Sequence, residues 1–297
     1  MIPKLTVVAP ASGMELSSQD KETIADSVET LGYRIDWGAH LDDCERFLAG
    51  SDANRAQDLM RAFQNPQTKV ILAVRGGYGC ARLLKKLDWN IIHRNPKVFV
   101  GFSDTTVLQN ALLAKAKLTS VTGFLAKFWV QKPKIQLLNS LRAVIDGSSV
   151  VLNNLPALTH GSAQGVMVGG CLSSFVSMLG TPYLPNLKGK ILLLEEVGEQ
   201  PYVLDSMFTQ LENAGVFDVL SGVVLGDFSR CISTPQNAGD GSMEQVLLEH
   251  FSKLKIPVVF SIPYSHETKK IILPFGTKTF IDADKGIVCV DGLKKKW

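Results

Sequence analysis

The serine within residues 101–105 is the strongest candidate nucleophile in this chain. Ser103 follows the apolar run 97–101, which is typical of a buried strand, and residues that favour a helix start come directly after it. In such a strand–turn–helix corner the hydroxyl stands clear of the sheet, and the first N–H groups of the helix face its target. Thr105 occupies the position of the second glycine in the G-x-S-x-G elbow of α/β hydrolases, so a helix N-cap is the alternative role for this serine.

A histidine and a glutamate later in the chain are of the types that activate a serine. His266 lies in a turn between two apolar runs, and its alternative role is that of a loop histidine satisfied by Glu267 or by solvent. Glu195 is the first acidic residue after an apolar strand-like run, where a carboxylate can orient an imidazole and stabilise its charged form. We interpret Glu196 and Glu199, which follow it, as solvated loop acids.

The glycine-rich residues 75–79 form a candidate oxyanion-binding loop. Acyl transfer needs N–H donors aimed at the developing oxyanion, and losing one donor typically lowers the rate about 10²–10³-fold. The N–H groups of Gly77 and Asp104 are the candidate pair, because both turns follow strand-like runs. The loop matches neither of the phosphate-binding glycine motifs of dinucleotide and nucleoside-triphosphate sites. Arg75 either binds a substrate carboxylate or braces the loop, and the candidate substrate-binding residues are Arg75, Gly76 and Tyr78.

The remaining histidines give no sign of a metal site. We expect surface or structural roles for His40, His93, His160 and His250, which lie among ordinary loop or helix residues. No two histidines have the spacing of zinc ligands, and the sequence contains no HExxH motif. The serine chemistry described above requires neither a metal nor an organic cofactor, so we expect none.

Composition and charge exclude several classes of protein. The apolar fraction of 45% and the charged fraction of 20% are ordinary for a globular chain, and a formal charge of +3 is too small to indicate nucleic-acid binding. No apolar stretch reaches the ~18 residues of a membrane span, and the N-terminal residues lack the layout of a signal peptide. Five cysteines without a CxxC pair favour free thiols. We therefore expect a soluble, cytoplasmic protein with no nucleic-acid or membrane partner.

The order of the apolar runs predicts an α/β fold with two domains. Residues 1–125 alternate strand-like and helical segments, which favours a parallel sheet of the Rossmann or flavodoxin type with ligands at the carboxyl ends of its strands. Residues 126–164 form the expected crossing between the domains. Residues 165–297 contain many short strand-like runs and few helical ones, which predicts a mixed, β-rich domain. The first domain then carries the candidate nucleophile, and the second carries the candidate acid and base.

Motifs along nearly the whole chain closely resemble those of the LD-carboxypeptidases, serine peptidases that trim muramoyl tetrapeptides. These motifs lie at residues 9–13, 44–47, 74–79, 101–104, 169–172, 180–183, 194–202 and 273–276, the last of them preceded by His266. The chain departs from the family pattern at residues 264–265, where a glycine often precedes the histidine, and at residues 204–206, where an arginine commonly follows the acid. Neither departure removes a catalytic group.

The resemblance implies the reaction and the roles of the site residues. By this resemblance Ser103 is the nucleophile, Glu195 the acid and His266 the base of a Ser–His–Glu triad. The bond cleaved would join the L-centre of a diamino acid to a terminal D-alanine, in muropeptides that are recycled in the cytoplasm. The family resemblance also implies a homodimer and no cofactor.

Two other functions stay open at this point. A member of the same family could cleave a peptidyl-nucleotide antibiotic for self-protection, and the residues that choose between these substrates cannot be placed in the sequence. A non-enzymatic α/β module that binds a sugar or a small peptide is the alternative from another class of protein. Three catalytic residue types in the family's order argue against the binding module.

Overall fold

The chain folds into two compact units in a computed structural model that describes residues 2–131, 135–234, 237, 239, 241–267 and 270–294. The first unit comprises Met1–Ser148 with Leu293–Trp297, and the second comprises Ser149–Gly292. Among the described residues, no helix has the length and apolar character that a membrane span requires. The predicted α/β class is confirmed, with a parallel sheet in the first unit and a mixed sheet in the second.

The first unit is built on a parallel sheet with connecting helices. Its strands are β1 Lys4–Val8, β2 Arg34–Trp37, β3 Thr68–Ala73, β4 Val98–Gly101 and β5 Ser120–Thr122. Its helices are α1 Ser18–Thr30, α2 Asp52–Gln64, α3 Trp89–Arg94, α4 Thr106–Ala111, α5 Lys127–Gln131 and α6 Ile135–Ile145. The strands pair in the order β2-β1-β3-β4-β5, which is the order of flavodoxin-like sheets. In such sheets, ligands bind at the carboxyl ends of the strands.

The central strands of this sheet are buried along almost their whole length. The buried residues of β3 and β4 include Val70, Ile71, Leu72, Val98, Phe99 and Val100. A parallel strand covered on both faces has a continuous apolar run rather than an alternating pattern, which is why the sequence signalled these strands clearly. Residues 74–79 follow β3 and residues 102–105 follow β4. Because neighbouring parallel strands end at the same edge, both loops emerge together.

The second unit is built on a mixed sheet. The strands of this sheet are β6 Val150–Leu152, β7 Ala157–Thr159, β8 Ser162–Cys171, β9 Ile191–Val197, β10 Gly222–Ser229, β11 Val258–Val259, β13 Lys278–Asp282 and β14 Ile287–Val290. The unit also contains the short strand β12 Leu273–Phe275. Its helices are α7 Leu172–Val176, α8 Pro201–Asn213, α9 Val216–Val219 and α10 Met243–Phe251. Strands β8 to β11 pair in parallel, whereas β13, β14 and β6 continue the sheet from β8 with antiparallel pairing. Strand β7 pairs antiparallel with β11.

Strand β9 is longer than the apolar run that predicted it. The run covers residues 190–194, but the strand continues through two glutamates to Val197. Glu195 pairs with Cys171 of β8, and Glu196 pairs with Phe228 of β10. Successive side chains of a strand point to opposite faces, so the two carboxylates are directed to different surroundings.

The cysteines are free thiols, as expected. All five lie among the described residues, and Cys80, Cys171 and Cys231 are buried. Burial raises the pKa of the Cys231 thiol to about 11 and raises the pKa values of Cys80 and Cys171 well above the usual range. A thiol that stays protonated is a poor nucleophile, so these buried cysteines do not compete with the serine.

Candidate active site

Ser103 occupies a strained position directly after β4. Phe102 is extended, with φ −164° and ψ 162°, and Ser103 then enters the left-handed region at φ +65°. The 3₁₀ turn Ser103–Thr105 leads from there into α4. A non-glycine residue in this region costs about 1–3 kcal/mol and persists only where its surroundings enforce it. The strand, the sharp turn and the helix start together hold the half-buried serine at the carboxyl edge of the sheet.

The first two glycines of the loop after β3 are sites where a side chain has no room. A Cβ atom on Gly76 would lie 2.6 Å from Ser103 Cβ and 2.8 Å from Ser103 Oγ. Gly77 has φ +111°, and a Cβ atom there would collide with the hydroxyl of Ser12. Glycine at position 76 therefore lets the loop backbone approach the Ser103 hydroxyl closely, and glycine at position 77 lets it approach the Ser12 hydroxyl.

Polar groups fix this loop on both sides. The Oγ atom of Ser12 accepts a hydrogen bond from Tyr78 N–H at 3.1 Å, and Ser12 N–H donates to the Gly76 carbonyl at 3.4 Å. The carboxylate of Asp104 accepts a hydrogen bond from Cys80 N–H at 2.9 Å. Burial raises the pKa of Asp104, and the bond from Cys80 opposes that shift. The Asp104 side chain thus ties the loop to the turn at residues 103–105, a role that the sequence did not indicate.

A buried arginine braces the same loop from α2. Arg55 is 1% exposed, and its Nη1 atom donates to the carbonyl oxygens of Pro10 at 2.6 Å and Gly79 at 3.0 Å. Its Nη2 atom pairs with the carboxylate of Asp52, which also accepts from Arg82 Nε at 2.8 Å. Sequence reasoning missed this group, since its only local signal was a charged residue among the apolar positions of a helix.

Two cations near the glycine loop interact electrostatically with each other. Arg75 Nη1 donates to the Gly13 carbonyl at 2.8 Å, whereas its buried Nε has no hydrogen-bond partner in the described part of the chain. Lys127 N–H donates to the Val74 carbonyl at 2.9 Å, which brings this lysine to the end of β3. Burial and the charge of Arg75 lower the pKa of Lys127. Within residues 2–131, neither side chain pairs with a carboxylate, so the two cations favour an anionic ligand.

Glu195 and His266 form a hydrogen-bonded pair in the second unit. Glu195 Oε2 lies 2.8 Å from His266 Nδ1, and the carboxylate is fully buried. Burial raises the pKa of Glu195 well above its usual range, with further contributions from the charges of Glu196 and Asp227. The pairing favours the tautomer with a proton on Nδ1, which leaves the Nε2 lone pair for use as a base.

The end of β10 holds the histidine loop in place. The β9–β10 pairing is irregular between Leu225 and Phe228, and a Cβ atom on Gly226 would lie 3.0 Å from the Cβ of Glu195. Asp227 N–H donates to the Tyr264 carbonyl at 3.0 Å, two residues before His266. Close backbone packing at Gly226 therefore helps to set the separation of Glu195 and His266.

The prediction that Glu196 is a solvated loop acid is wrong. Glu196 is 3% exposed, and its carboxylate accepts hydrogen bonds from Ser173 N–H at 2.7 Å and Val197 N–H at 2.8 Å. It satisfies an N–H group at the start of α7, where a negative charge is favourable. Glu199 is half-buried, and burial raises its pKa. The longer β9 explains the error, because it turns Glu196 inward on the face opposite Glu195.

Both halves of the chain match models of one protein family. The model of the LD-carboxypeptidase N-terminal domain matches residues 5–123, and that of the LD-carboxypeptidase C-terminal domain matches residues 164–281. The chain belongs to the LD-carboxypeptidase family. The resemblance read from the motifs is therefore confirmed, as is the prediction that the chain is a carboxypeptidase.

Individual relatives of this LD-carboxypeptidase cover nearly its whole length. A putative carboxypeptidase of Synechocystis is 35% identical over 95% of this chain and 92% of its own. The murein tetrapeptide carboxypeptidase of Pseudomonas aeruginosa is 28% identical over 95% of this chain and 94% of its own. The microcin C7 self-immunity protein of Escherichia coli is 25% identical over 86% of this chain and 83% of its own. The crystal structure of muramoyltetrapeptide carboxypeptidase from Oxalobacter formigenes has a TM-score of 0.86 at 27% identity, covering 98% of this chain and 99% of that one.

The first unit of this LD-carboxypeptidase brings most of the predicted site residues together. Ser103 and Asp104 lie beside the loop that contains Arg75, Gly76, Gly77 and Tyr78. In the second unit, Glu195 and His266 are brought into direct contact. The family match covers both sets of residues, which argues against a non-enzymatic binding module.

Proposed function

We propose that this LD-carboxypeptidase removes the terminal D-alanine from muramoyl tetrapeptides by nucleophilic attack of Ser103. The observation that carries the proposal is the strained serine at φ +65° with its hydroxyl against the Gly76 backbone. A serine held in this way is typical of nucleophile elbows. The murein tetrapeptide carboxypeptidase of Pseudomonas aeruginosa, 28% identical to this chain, supports the choice of substrate.

The proposed mechanism uses His266 as the general base. His266 takes the proton of Ser103 Oγ as the oxygen attacks the scissile carbonyl, and the imidazole becomes an imidazolium. The buried carboxylate of Glu195, 2.8 Å from Nδ1, stabilises that charge and fixes the tautomer. His266 then protonates the amine of the departing D-alanine, and water hydrolyses the acyl-enzyme with the same histidine as base.

The oxyanion of the tetrahedral intermediate is assigned to two backbone N–H groups. Gly77 N–H lies in the loop that packs on the serine, and Asp104 N–H lies in the first turn after it, where helix N–H groups lack intrahelical partners. Ser12 and the Asp104 carboxylate hold these groups in position through the loop. Fixed donors of this kind stabilise developing charge without reorganisation during the reaction.

Arg75 and Lys127 are the proposed ligands of the substrate's terminal carboxylate. A carboxypeptidase must distinguish a free carboxylate from the continuing chain, and the two adjacent cations supply the complementary charge. The guanidinium already donates one hydrogen bond to the Gly13 carbonyl, which orients its charged group. Gly76 and Tyr78 complete the proposed substrate-binding loop. A cytoplasmic location, a role in peptidoglycan recycling and a homodimeric state belong to the same proposal.

Cleavage of a peptidyl-nucleotide is the second candidate function. The microcin C7 self-immunity protein, 25% identical to this chain, supports it. Mass spectrometry after incubation with a tetrapeptide, a pentapeptide and a peptidyl-nucleotide distinguishes the candidates. Loss of one alanine from the tetrapeptide alone is the expected result, and cleavage of the peptidyl-nucleotide alone would contradict the muropeptide proposal.

A further inference from the structure

Two half-exposed aromatic rings lie next to each other at the glycine loop. Phe47 and Tyr78 are each 51% exposed, their ring centroids are 5.5 Å apart, and their planes meet at 65°. The pair therefore presents an apolar corner to the solvent. Large apolar side chains that are exposed together on a functional loop are typical of a binding surface.

Tyr78 is held through its backbone and lies next to a fixed cation. Its backbone N–H donates to Ser12 Oγ at 3.1 Å, and its phenol interacts electrostatically with the guanidinium of Arg82. Arg82 is in turn fixed by the carboxylate of Asp52 at 2.8 Å. A ring anchored in this way loses little conformational freedom when a ligand binds, which favours affinity.

The Phe47 ring is fixed by a tight turn. Glu45 and Leu48 exchange backbone hydrogen bonds of 3.0 Å in both directions, with Arg46 between them at φ +57°. The Arg46 guanidinium lies 5.2 Å from the Phe47 ring centroid. Arg46 and Arg82 thus place hydrogen-bond donors around the rim of an apolar corner.

The sequence separation of Tyr78 from Gly76 places this corner within the reach of a peptide stem that ends at the serine. Tyr78 is two residues from Gly76, which packs against Ser103, and two residues span at most about 7 Å before the side chain begins. In a muramoyl tetrapeptide, three residues separate the sugar from the scissile carbonyl, which is about 10 Å in an extended chain. The Tyr78 side chain extends beyond its backbone and so covers the rest of the distance between the serine and the sugar.

We infer that Phe47 and Tyr78 form a subsite for the pyranose ring of a sugar-linked peptide, an inference that rests on the proposed function. A pyranose has apolar C–H faces and a rim of hydroxyl groups, which match the aromatic corner and the guanidinium donors. A nucleobase sandwiched between the two rings would need parallel planes, and planes that meet at 65° do not provide such a slot.

The first test compares kcat/KM for a muramoyl tetrapeptide with kcat/KM for the free tetrapeptide. The ratio of the two values is expected to fall about tenfold in Phe47→Ala and Tyr78→Ala, the equivalent of about 1.4 kcal/mol of lost contact. Tyr78→Phe, which keeps the ring, should retain most of the ratio. The matched control is Phe280→Ala, since this exposed phenylalanine lies on β13, and it should leave the ratio unchanged. An unaltered ratio in both alanine variants would overturn the inference.

A binding measurement separates this inference from the proposed function. Saturation-transfer NMR uses N-acetylmuramic acid and Ser103→Ala protein, which excludes turnover. Transfer to the sugar-ring protons is expected, and it should disappear when Phe47→Ala is added. Absent transfer, or stronger transfer to adenosine monophosphate, would contradict the sugar subsite. If the wild-type protein cleaves neither peptide, the proposed function fails, and the NMR result still decides the inference.

Discussion

His266 Nδ1 lies 2.8 Å from Glu195 Oε2, and the carboxylate that accepts this contact is fully buried. The other oxygen of Glu195 has no hydrogen-bond partner among the described residues. A buried carboxylate with a single strong partner interacts with that partner in a low-dielectric environment, where the attraction to a charged imidazole is large. The pair is therefore well suited to stabilise a histidine that becomes positive during catalysis.

Replacing this acid by its amide is expected to lower kcat strongly. Glu195→Gln keeps the size of the side chain but removes the charge that stabilises the imidazolium, and its NH₂ group can favour the wrong tautomer of His266. By analogy with serine triads, kcat should fall about 10³–10⁴-fold with little change in KM. Steady-state release of D-alanine measures both constants, and a kcat within tenfold of wild type would exclude Glu195 from the mechanism.

The same substitution is expected to change how stability depends on pH. Burial raises the pKa of Glu195, so the native state retains a proton at pH values where the unfolded chain has released it. Above the ordinary carboxyl pKa of about 4, the free energy of unfolding therefore falls as the pH rises toward the raised pKa. Glu195→Gln removes this dependence, and its advantage in Tm should grow as the pH rises above the ordinary carboxyl pKa of about 4. The exposed Glu249→Gln is the control, and equal Tm profiles for wild type and Glu195→Gln would contradict the expected shift.

A methyl group on the first glycine of the loop is expected to abolish activity. In Gly76→Ala the new Cβ would lie 2.6 Å from Ser103 Cβ, so either the loop or the serine must move. A displacement of this size at a reacting group lowers the rate about 10²-fold or more. Gly239→Ala is the control, because a Cβ there meets nothing within 4 Å. Normal kcat/KM in Gly76→Ala would show that close packing at this point is not needed.

The two neighbouring cations are expected to determine selectivity for a free carboxylate. Arg75→Gln and Lys127→Gln remove two charges that interact near the end of β3. Each should raise KM for a tetrapeptide acid about 10–100-fold, the usual effect of losing a charge-assisted hydrogen bond. The KM for the same tetrapeptide with a C-terminal amide should rise far less. An equal loss on both substrates would assign these residues to bracing of the loop instead.

The parts of the site that could be predicted from the sequence lie at the ends of buried strands. Ser103 and the loop at residues 75–79 each follow a continuous apolar run, so their position at one edge of a parallel sheet follows from the fold class. Glu195 was found for the same reason on β9. In each case the apolar run directly before the residue predicts the strand at whose end the residue lies.

The parts that could not be predicted depend on distant contacts. Arg55 reaches the Pro10 carbonyl across 45 positions, and the Ser12 hydroxyl accepts from Tyr78 N–H across 66. No pattern within a helix or a strand records such a partner. The prediction for Glu196 was wrong for a related reason, because pairing with β10 extends β9 past its apolar residues. The extension buries the Glu196 carboxylate, which the Ser173 N–H group at the start of α7 stabilises.

The central claim is that Ser103 is the nucleophile, and D-alanine release by Ser103→Ala tests it most directly. Wild-type protein and the variant are incubated with a muramoyl tetrapeptide, and the masses of the products are measured by mass spectrometry. Circular dichroism confirms that the variant is folded. Loss of one alanine residue from the substrate is expected with wild type, and none above background is expected with Ser103→Ala. Full turnover by folded Ser103→Ala would contradict the account.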